Sequence, residues 1–283
     1  MVGHPGQGMS SLPGLEFFKM SGSGNDFVAV DGRQEGASRV IEPGAVRRIC
    51  ARRTGVGADG VILLVPEVEA AFRMIYLNAD GSRASMCGNA ALCSTRLAAE
   101  IGLAGPGEIV FLTDSGPVQA RLIDGVPEID LAPIRDVRAE VDLPLESGER
   151  RVGFVLAGVP HVVVRCADVE SIEVERRGGA LRRDQAFAQG ANVDFTSPAD
   201  SPGMWAMRTY ERGVEGETLA CGTGAVSTAL MLAEWGEAGL ETTVLTRSGL
   251  PVQVRLERRG DAWLPSLRGE GRIVFRGELR GAP

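Results

Sequence analysis

Cysteine is scarce in this chain and badly spaced for bridging. There are five, an odd number, and no two stand in a CxxC arrangement. That excludes a disulfide framework and a close-spaced zinc knuckle, and it fits a reducing cytoplasm. Histidine is rarer still, with only His4 and His161, so no metal site is expected. Aromatic residues make up 5% of the chain and the net charge is −7 with no basic block. The electrostatic footprint and stacking platform of a nucleic-acid binder are therefore missing. No apolar run is long enough to span a bilayer, which excludes a helical membrane anchor. The opening residues MVGHPGQGMSSLPG lack the basic-then-apolar pattern of a secretory signal, and residues 1–14 are expected to form a flexible extension. A GxxxxGK[ST] phosphate loop is also absent. The nearest candidate, RRTGVGADG (52–60), precedes a strand instead of following one, so a nucleotide site is not expected.

Glycine, by contrast, is abundant at 38 residues, and much of it clusters around a stretch that occurs twice. Tyr210–Ser227 reads YERGVEGETLACGTGAVS, and Tyr76–Glu100 reads YLNADGSRASMCGNAALCSTRLAAE. In each copy a tyrosine stands eleven residues before a Cys-Gly pair, Cys87-Gly88 in one and Cys221-Gly222 in the other. The parallel continues from EIVFLTDSGPVQARL (108–122) to ETTVLTRSGLPVQVRL (241–256). The period is too long for a solenoid. It predicts two related domains facing one another, each contributing one thiol.

The local pattern places those thiols. Apolar, Ala-rich runs from Ala90 to Ile101 and from Ala225 to Trp235 read as helices, so each cysteine falls at a helix N-terminus. There the unpaired backbone N–H groups favour a thiolate and a bound anion. Strands are expected at 15–20 and 27–30 around the turn SGSGND, at 61–65 and at 71–77. Further strands are expected at 109–112 and 118–122, with an extended crossing segment at 127–135. Val152–Val164 is strand-like with a tight turn at AGVPH, a setting that would aim His161 into a cleft, although a lone strand histidine is more often structural. Ser171–Arg183 is expected to be a solvated helix or loop. By themselves Asn25 and Asn78 read equally as turn residues, and Glu211-Arg212 as a surface ion pair.

Buried structural thiols suit Cys50, Cys93 and Cys166. They suit Cys87 and Cys221 less well, because both precede glycine in the same duplicated context. Two like groups from facing halves match one chemistry closely: inversion of a stereocentre, which needs a base on one face of a carbon and an acid on the other. Thiols serve, since both protonation states are reachable after modest tuning. Backbone N–H groups at the two helix starts would hold a carboxylate and stabilise the neighbouring carbanion.

FFKMSGSGNDF, TGVGADG, NADGSRASMCGN, the Val-Pro-His turn, GANVDF and ERGVEGETLACGTG, in that order from Phe17 to about Gly249, resemble the diaminopimelate epimerases. These belong to the cofactor-independent amino-acid racemases and epimerases. The resemblance implies an α/β (α+β) fold of two pseudo-symmetric domains, each a barrel-like sheet around a central helix, with the active-site cleft between them. The domains would be 15–131 with about 268–283, and 132–267. It implies Cys87 and Cys221 as the acid–base pair, with neither pyridoxal phosphate nor metal. His161 and Glu211 would be auxiliary to the thiols. Gly88, Asn89, Gly222 and Thr223 would hold the reacting end of the substrate, and Asn25, Asn78, Asn192, Glu211 and Arg212 would contact it elsewhere. A small amino acid is the expected partner, with no membrane and no nucleic acid, and the family leans toward homodimers.

Two positions depart from the family pattern: Val159 replaces a frequent Asn, and Ala90 a frequent Gly. Asn89, where the proline racemases typically carry His, separates the chain from that branch. Arg212 and the distal asparagines favour a substrate with two amino-acid ends. The alternatives are a racemase of another amino acid or a catalytically silent binding homologue, and retention of both thiols argues against the latter.

Overall fold

The structure, a computed structural model, describes residues 14–280. The expected N-terminal extension therefore lies outside the described residues apart from Gly14, as do the last three positions of the expected tail.

In chain order the elements are β1 (Leu15–Gly22), β2 (Asn25–Asp31), α1 (Pro43–Cys50), β3 (Gly60–Val65), β4 (Arg73–Asn78), β5 (Arg83–Ala84) and α2 (Gly88–Glu100). Then come β6 (Ile109–Thr113), β7 (Gly116–Ile123), β8 (Val126–Asp130), β9 (Val137–Arg138), β10 (Glu149–Ala157), β11 (Val159–Cys166) and α3 (Val174–Arg182). The chain closes with β12 (Asn192–Pro198), β13 (Met204–Glu211), β14 (Gly216–Thr218), α4 (Gly222–Glu234), β15 (Glu241–Leu245), β16 (Pro251–Arg259), β17 (Ala262–Arg268) and β18 (Arg272–Leu279).

The duplication seen in sequence is a duplication of topology. In the first half β1 pairs antiparallel with β2, β2 runs parallel to β3, β3 and β4 are antiparallel, and β6 returns parallel to β4. In the second half β10 with β11, β11 with β12, β12 with β13 and β13 with β15 repeat those four relations in the same order. The crossings repeat too. After β8 the chain moves over to place β9 beside β10, and after β17 it moves back to place β18 beside β1. Strand pairing thus groups β1–β8 with β18, and β9–β17 together. The antiparallel pair β8–β17, with Leu267 opposite Ile129, sews the two groups into one continuous sheet.

Each group wraps a helix. Ala90, Ala91, Leu92, Cys93, Leu97 and Ala98 of α2 are buried, as are Ala225, Val226, Ala229, Leu230, Met231 and Leu232 of α4. A helix buried on every side must be apolar on every side, which is why these two segments carry small and aliphatic residues without an amphipathic stripe. The outer helices α1 and α3 each cover an outer face with a smaller core of their own. The charged segment 171–183 is therefore not simply solvated. Arg177 of α3 is buried, with its guanidinium paired to Glu149 at 2.7 Å, because the helix packs against β12 and β13. No helix among the described residues is long and apolar enough to cross a membrane.

Candidate active site

Cys87 and Cys221 are the N-caps of α2 and α4. Both have extended backbone (φ −145°, ψ 119° and φ −133°, ψ 111°), and the helices begin at the glycines that follow. The helices thus start two to three residues earlier than the apolar runs imply, because Gly88-Asn89 and Gly222-Thr223-Gly224 are already helical. The two helix starts meet at the seam. A Cβ added to Gly222 would lie 3.1 Å from Leu267 Cδ2, 3.6 Å from Asn89 Oδ1 and 3.9 Å from Gly88 Cα. One on Gly88 would meet the same leucine methyl at 3.4 Å. Glycine is what lets a ligand reach the N–H groups of both helix ends.

One cleft of about 2130 Å³ is lined by both cysteines and by Asn25, Asn78, Gly88, Asn89, Asn192, Glu211, Arg212, Gly222 and Thr223. That exceeds the roughly 300–1,000 Å³ of most small-molecule pockets, as befits an open groove. Of the expected site residues only His161 is absent from its wall. It is fully buried and lies within β11, since the turn is made earlier, at Gly158 with φ +74°. It does not point into the cleft as the Val-Pro-His turn had implied; it lies behind Thr223.

The polar residues hold one another in two chains. In the first half Asn89 Nδ2 donates to Asn25 Oδ1 at 2.7 Å, and Asn25 Nδ2 donates to Asp59 Oδ2 at 3.1 Å. Asp59 in turn takes Arg52 at 2.6 Å. In the second half Thr223 Oγ1 lies 3.0 Å from His161 Nε2, and His161 Nδ1 lies 2.7 Å from Asp194 Oδ2. Asn192 Oδ1 accepts the Arg212 backbone N–H at 2.8 Å. Thr218 Oγ1 donates to Glu211 Oε1 at 2.6 Å, and Asn78 Nδ2 donates to Ser82 Oγ at 3.0 Å. The Arg212 guanidinium spends Nη1 on the carbonyls of Gln189 and Gly190, at 3.1 and 3.4 Å. Asp59 and Asp194 escaped the sequence reading although both sit in quoted motifs. Asp59 just before β3 looks like a turn residue, and Asp194 inside β12 carries no mark of its partners until the strands are assembled. Leu267 left no signal at all.

The electrostatics overturn one expectation. Burial pushes the Cys87 thiol up to about 11, against the opposing N–H groups of Ala90 and Asn89. Burial, then the Glu211 and Asp194 carboxylates, lift Cys221 as well, against Thr223 and the Gly224 N–H. That N–H lies 3.4 Å from Cys221 Sγ. Helix N-termini alone would favour thiolates, but desolvation and neighbouring carboxylates outweigh them here. Burial thus favours the thiol form at both positions. Glu211 is itself raised, first by burial and then by Asp194.

Ala90 and Gly224 occupy equivalent helix positions, three after each cysteine. A Cβ on Gly224 would lie 2.5 Å from Asp194 Oδ1, so the second half needs glycine there. The first half takes a fully buried alanine.

Comparisons with known proteins repeat the two-part pattern of the chain. A family model described as diaminopimelate epimerase matches residues 17–128 and again 153–264, one span per half. The diaminopimelate epimerase of Gemmatimonas aurantiaca is 48% identical over 278 residues, covering 94% of this chain and all of that one. That of Aquifex aeolicus is 39% identical, covering 83% of this chain and 88% of its own length. Among solved structures, a PhzF-family phenazine biosynthesis protein of Bacillus anthracis superposes with a TM-score of 0.69 at 15% identity, covering 95% and 99% of the two chains. A hydroxyproline epimerase of Agrobacterium vitis, with bound trans-4-hydroxy-L-proline, does so at 0.64 and 17%, covering 95% and 93%. At such identities the shared property is the fold.

Proposed function

The chain belongs to the diaminopimelate epimerase family, and on that premise we propose that Cys87 and Cys221 interconvert L,L- and meso-diaminopimelate by two-base proton transfer. One thiolate removes the α-proton from one face, and the opposing thiol returns a proton to the other. The activity would serve lysine and peptidoglycan precursor synthesis in the cytoplasm, where thiols stay reduced; all five cysteines are unpaired. The two domains would be residues 15–131 with about 268–283, and 132–267.

The observation that carries this reading is the pair of thiols at the N-caps of the two central helices, one from each half, on one cleft. The substrate α-carboxylate sits against the N–H groups of Gly88, Asn89, Gly222 and Thr223, which also receive the charge that develops on the carbanion. The α-ammonium, buried beside a thiol, favours the thiolate that burial alone disfavours. Glu211 is placed to take an ammonium, and Arg212 to turn its free guanidinium edge to the distal carboxylate. Asn25, Asn78 and Asn192 line the rest, each with its amide already held by a protein partner. Cys87 and Cys221 need no cofactor for this step, since each supplies or takes one proton.

The test is turnover of L,L-diaminopimelate in heavy water. Deuterium should appear at one α-carbon of the meso product. Tight binding of diaminopimelate without label uptake would make the protein a silent binder, and label uptake into another amino acid alone would reassign the substrate.

A further inference from the structure

The two halves are alike in backbone but not in how each treats its thiol, and the difference lies behind the helix ends. Asn89 and Thr223 stand at the same place, two residues after each cysteine, and each begins a hydrogen-bonded chain that ends on an aspartate. In the first half the links are amides, Asn89 to Asn25 to Asp59. Amides do not titrate, although the Asp59 carboxylate at the end of this chain, together with Glu211, adds to the rise of the Cys87 thiol. Cys87 faces the N–H groups of Asn89 and Ala90 as Cys221 faces that of Gly224, so the helix N–H groups do not set the two thiols apart.

In the second half the links have a direction. Asp194 is fully buried and its carboxylate can only accept, so His161 Nδ1 carries the proton at 2.7 Å. Asn192 fixes the other nitrogen. Its Oδ1 is taken by the Arg212 N–H, which turns its Nδ2, a donor, toward His161 Nε2 at 3.3 Å. Nε2 is therefore the acceptor. The Thr223 hydroxyl, 3.0 Å away, donates to it and leaves its lone pair for Cys221 Sγ at 3.5 Å. Only an S–H completes that chain. The groups that bear on it are Asp194 and Asn192 of β12, Thr209 and Glu211 of β13, and Thr223 of α4. Thr209 Oγ1 donates to the other oxygen of Asp194 at 2.8 Å, which fixes that carboxylate.

We infer that Asp194 is a positioning residue that, through His161 and Thr223, keeps Cys221 protonated in the free enzyme, so Cys87 is the thiol that ionises first. The inference rests on the two-thiol reading above and adds an inequality to it. The ligand-free enzyme then sits mainly in one of its two protonation forms, with its acid on the second half and its base on the first. Asp194 is among the groups that raise the Cys221 thiol, after burial and Glu211.

The rival use of the same atoms has the opposite sign. If His161 acted as a base, a proton would pass from Cys221 sulfur to Thr223 while the Thr223 proton passed to Nε2, leaving a thiolate and an imidazolium held by Asp194. Removing Asp194 would then make Cys221 less reactive.

Initial rates of iodoacetamide alkylation at each cysteine, followed by peptide mass analysis at pH 8 without substrate, separate the two. In Asp194→Asn, and in His161→Phe, which frees the Thr223 hydroxyl to donate to sulfur, Cys221 should alkylate about tenfold faster, one unit in its acid constant. Cys87 should be unchanged. Slower or unaltered alkylation of Cys221, or equal change at both thiols as loosened packing would give, overturns the inference. The second variant carries the test if the first does not fold. Heavy-water exchange by the unmodified enzyme reports on the two-thiol reading independently.

Discussion

At the residue scale the proposed chemistry rests on two sulfurs that burial makes reluctant acids. With Cys87 lifted to about 11, little thiolate exists near neutrality. A thiol whose acid constant is raised gains thiolate only as pH climbs. For the free enzyme, kcat/KM should therefore rise between pH 7 and 9, toward tenfold per unit where a single ionisation limits. A flat profile there would mean that the thiols are already ionised. Cys87→Ala and Cys221→Ala should each lower epimerisation by at least about 10²-fold, the usual range for a positioned acid or base. Full activity in either would remove that cysteine from the pair. Most of the residues concerned could be read in the sequence, because cysteine beside glycine at a helix start is chemically unusual. The thiols' protonation could not be read, because it depends on Glu211 and Asp194, which come from other strands and are brought close only by folding.

At the element scale each functional helix end is pinned from behind. The glycine that allows this in α4 gives a sharp expectation. Gly224→Ala forces a methyl against the buried Asp194 carboxylate and should cost about 1–3 kcal/mol as an overpacked site. Ala90→Gly in α2 should cost only about 1 kcal/mol, from helix propensity. Denaturant melts of the two variants would show this inequality or its absence. The β1–β2 turn offers a second test. Burial raises the Asp26 carboxyl, but Arg52 and Lys19 hold it down, and the balance falls at about 2. A carboxyl depressed in the folded state stabilises above its unfolded value of about 3.9 and loses that contribution as pH falls through the folded one. Asp26→Asn should therefore lower Tm at pH 7, and the gap to the parent should close between pH 4 and 2. A gap constant over that window would place the effect elsewhere.

At the scale of the whole molecule, the site exists only because two copies of one topology face each other across β8–β17. Each central helix packs within its own group of strands, and each brings one thiol to the common cleft. If the groups close on substrate, the sulfurs approach from opposite sides of one carbon and should be oxidisable to each other. A thiol oxidant should then abolish activity and raise Tm by constraining a long loop in the unfolded chain, and both changes should reverse on reduction. Oxidant that modifies the cysteines singly, without a cross-link between 87 and 221, would show that the halves do not bring them together.

By itself the sequence determined the repeat, the strands, the two central helices and the paired cysteines, because those are periodic or local properties: an apolar period, a turn residue, a Cys-Gly at a fixed distance from a tyrosine. Tertiary structure decided what lies within reach of what. It placed His161 in a strand behind Thr223 and not on the cleft wall, buried Arg177 of a segment that reads as solvated, and committed part of Arg212 to backbone carbonyls. It also set an aspartate behind each helix end, reached through an imidazole on one side and through two amides on the other. The reason is that side-chain ionisation answers to burial and to charges a few ångströms away, and neighbours at that range come from strands far apart in the chain.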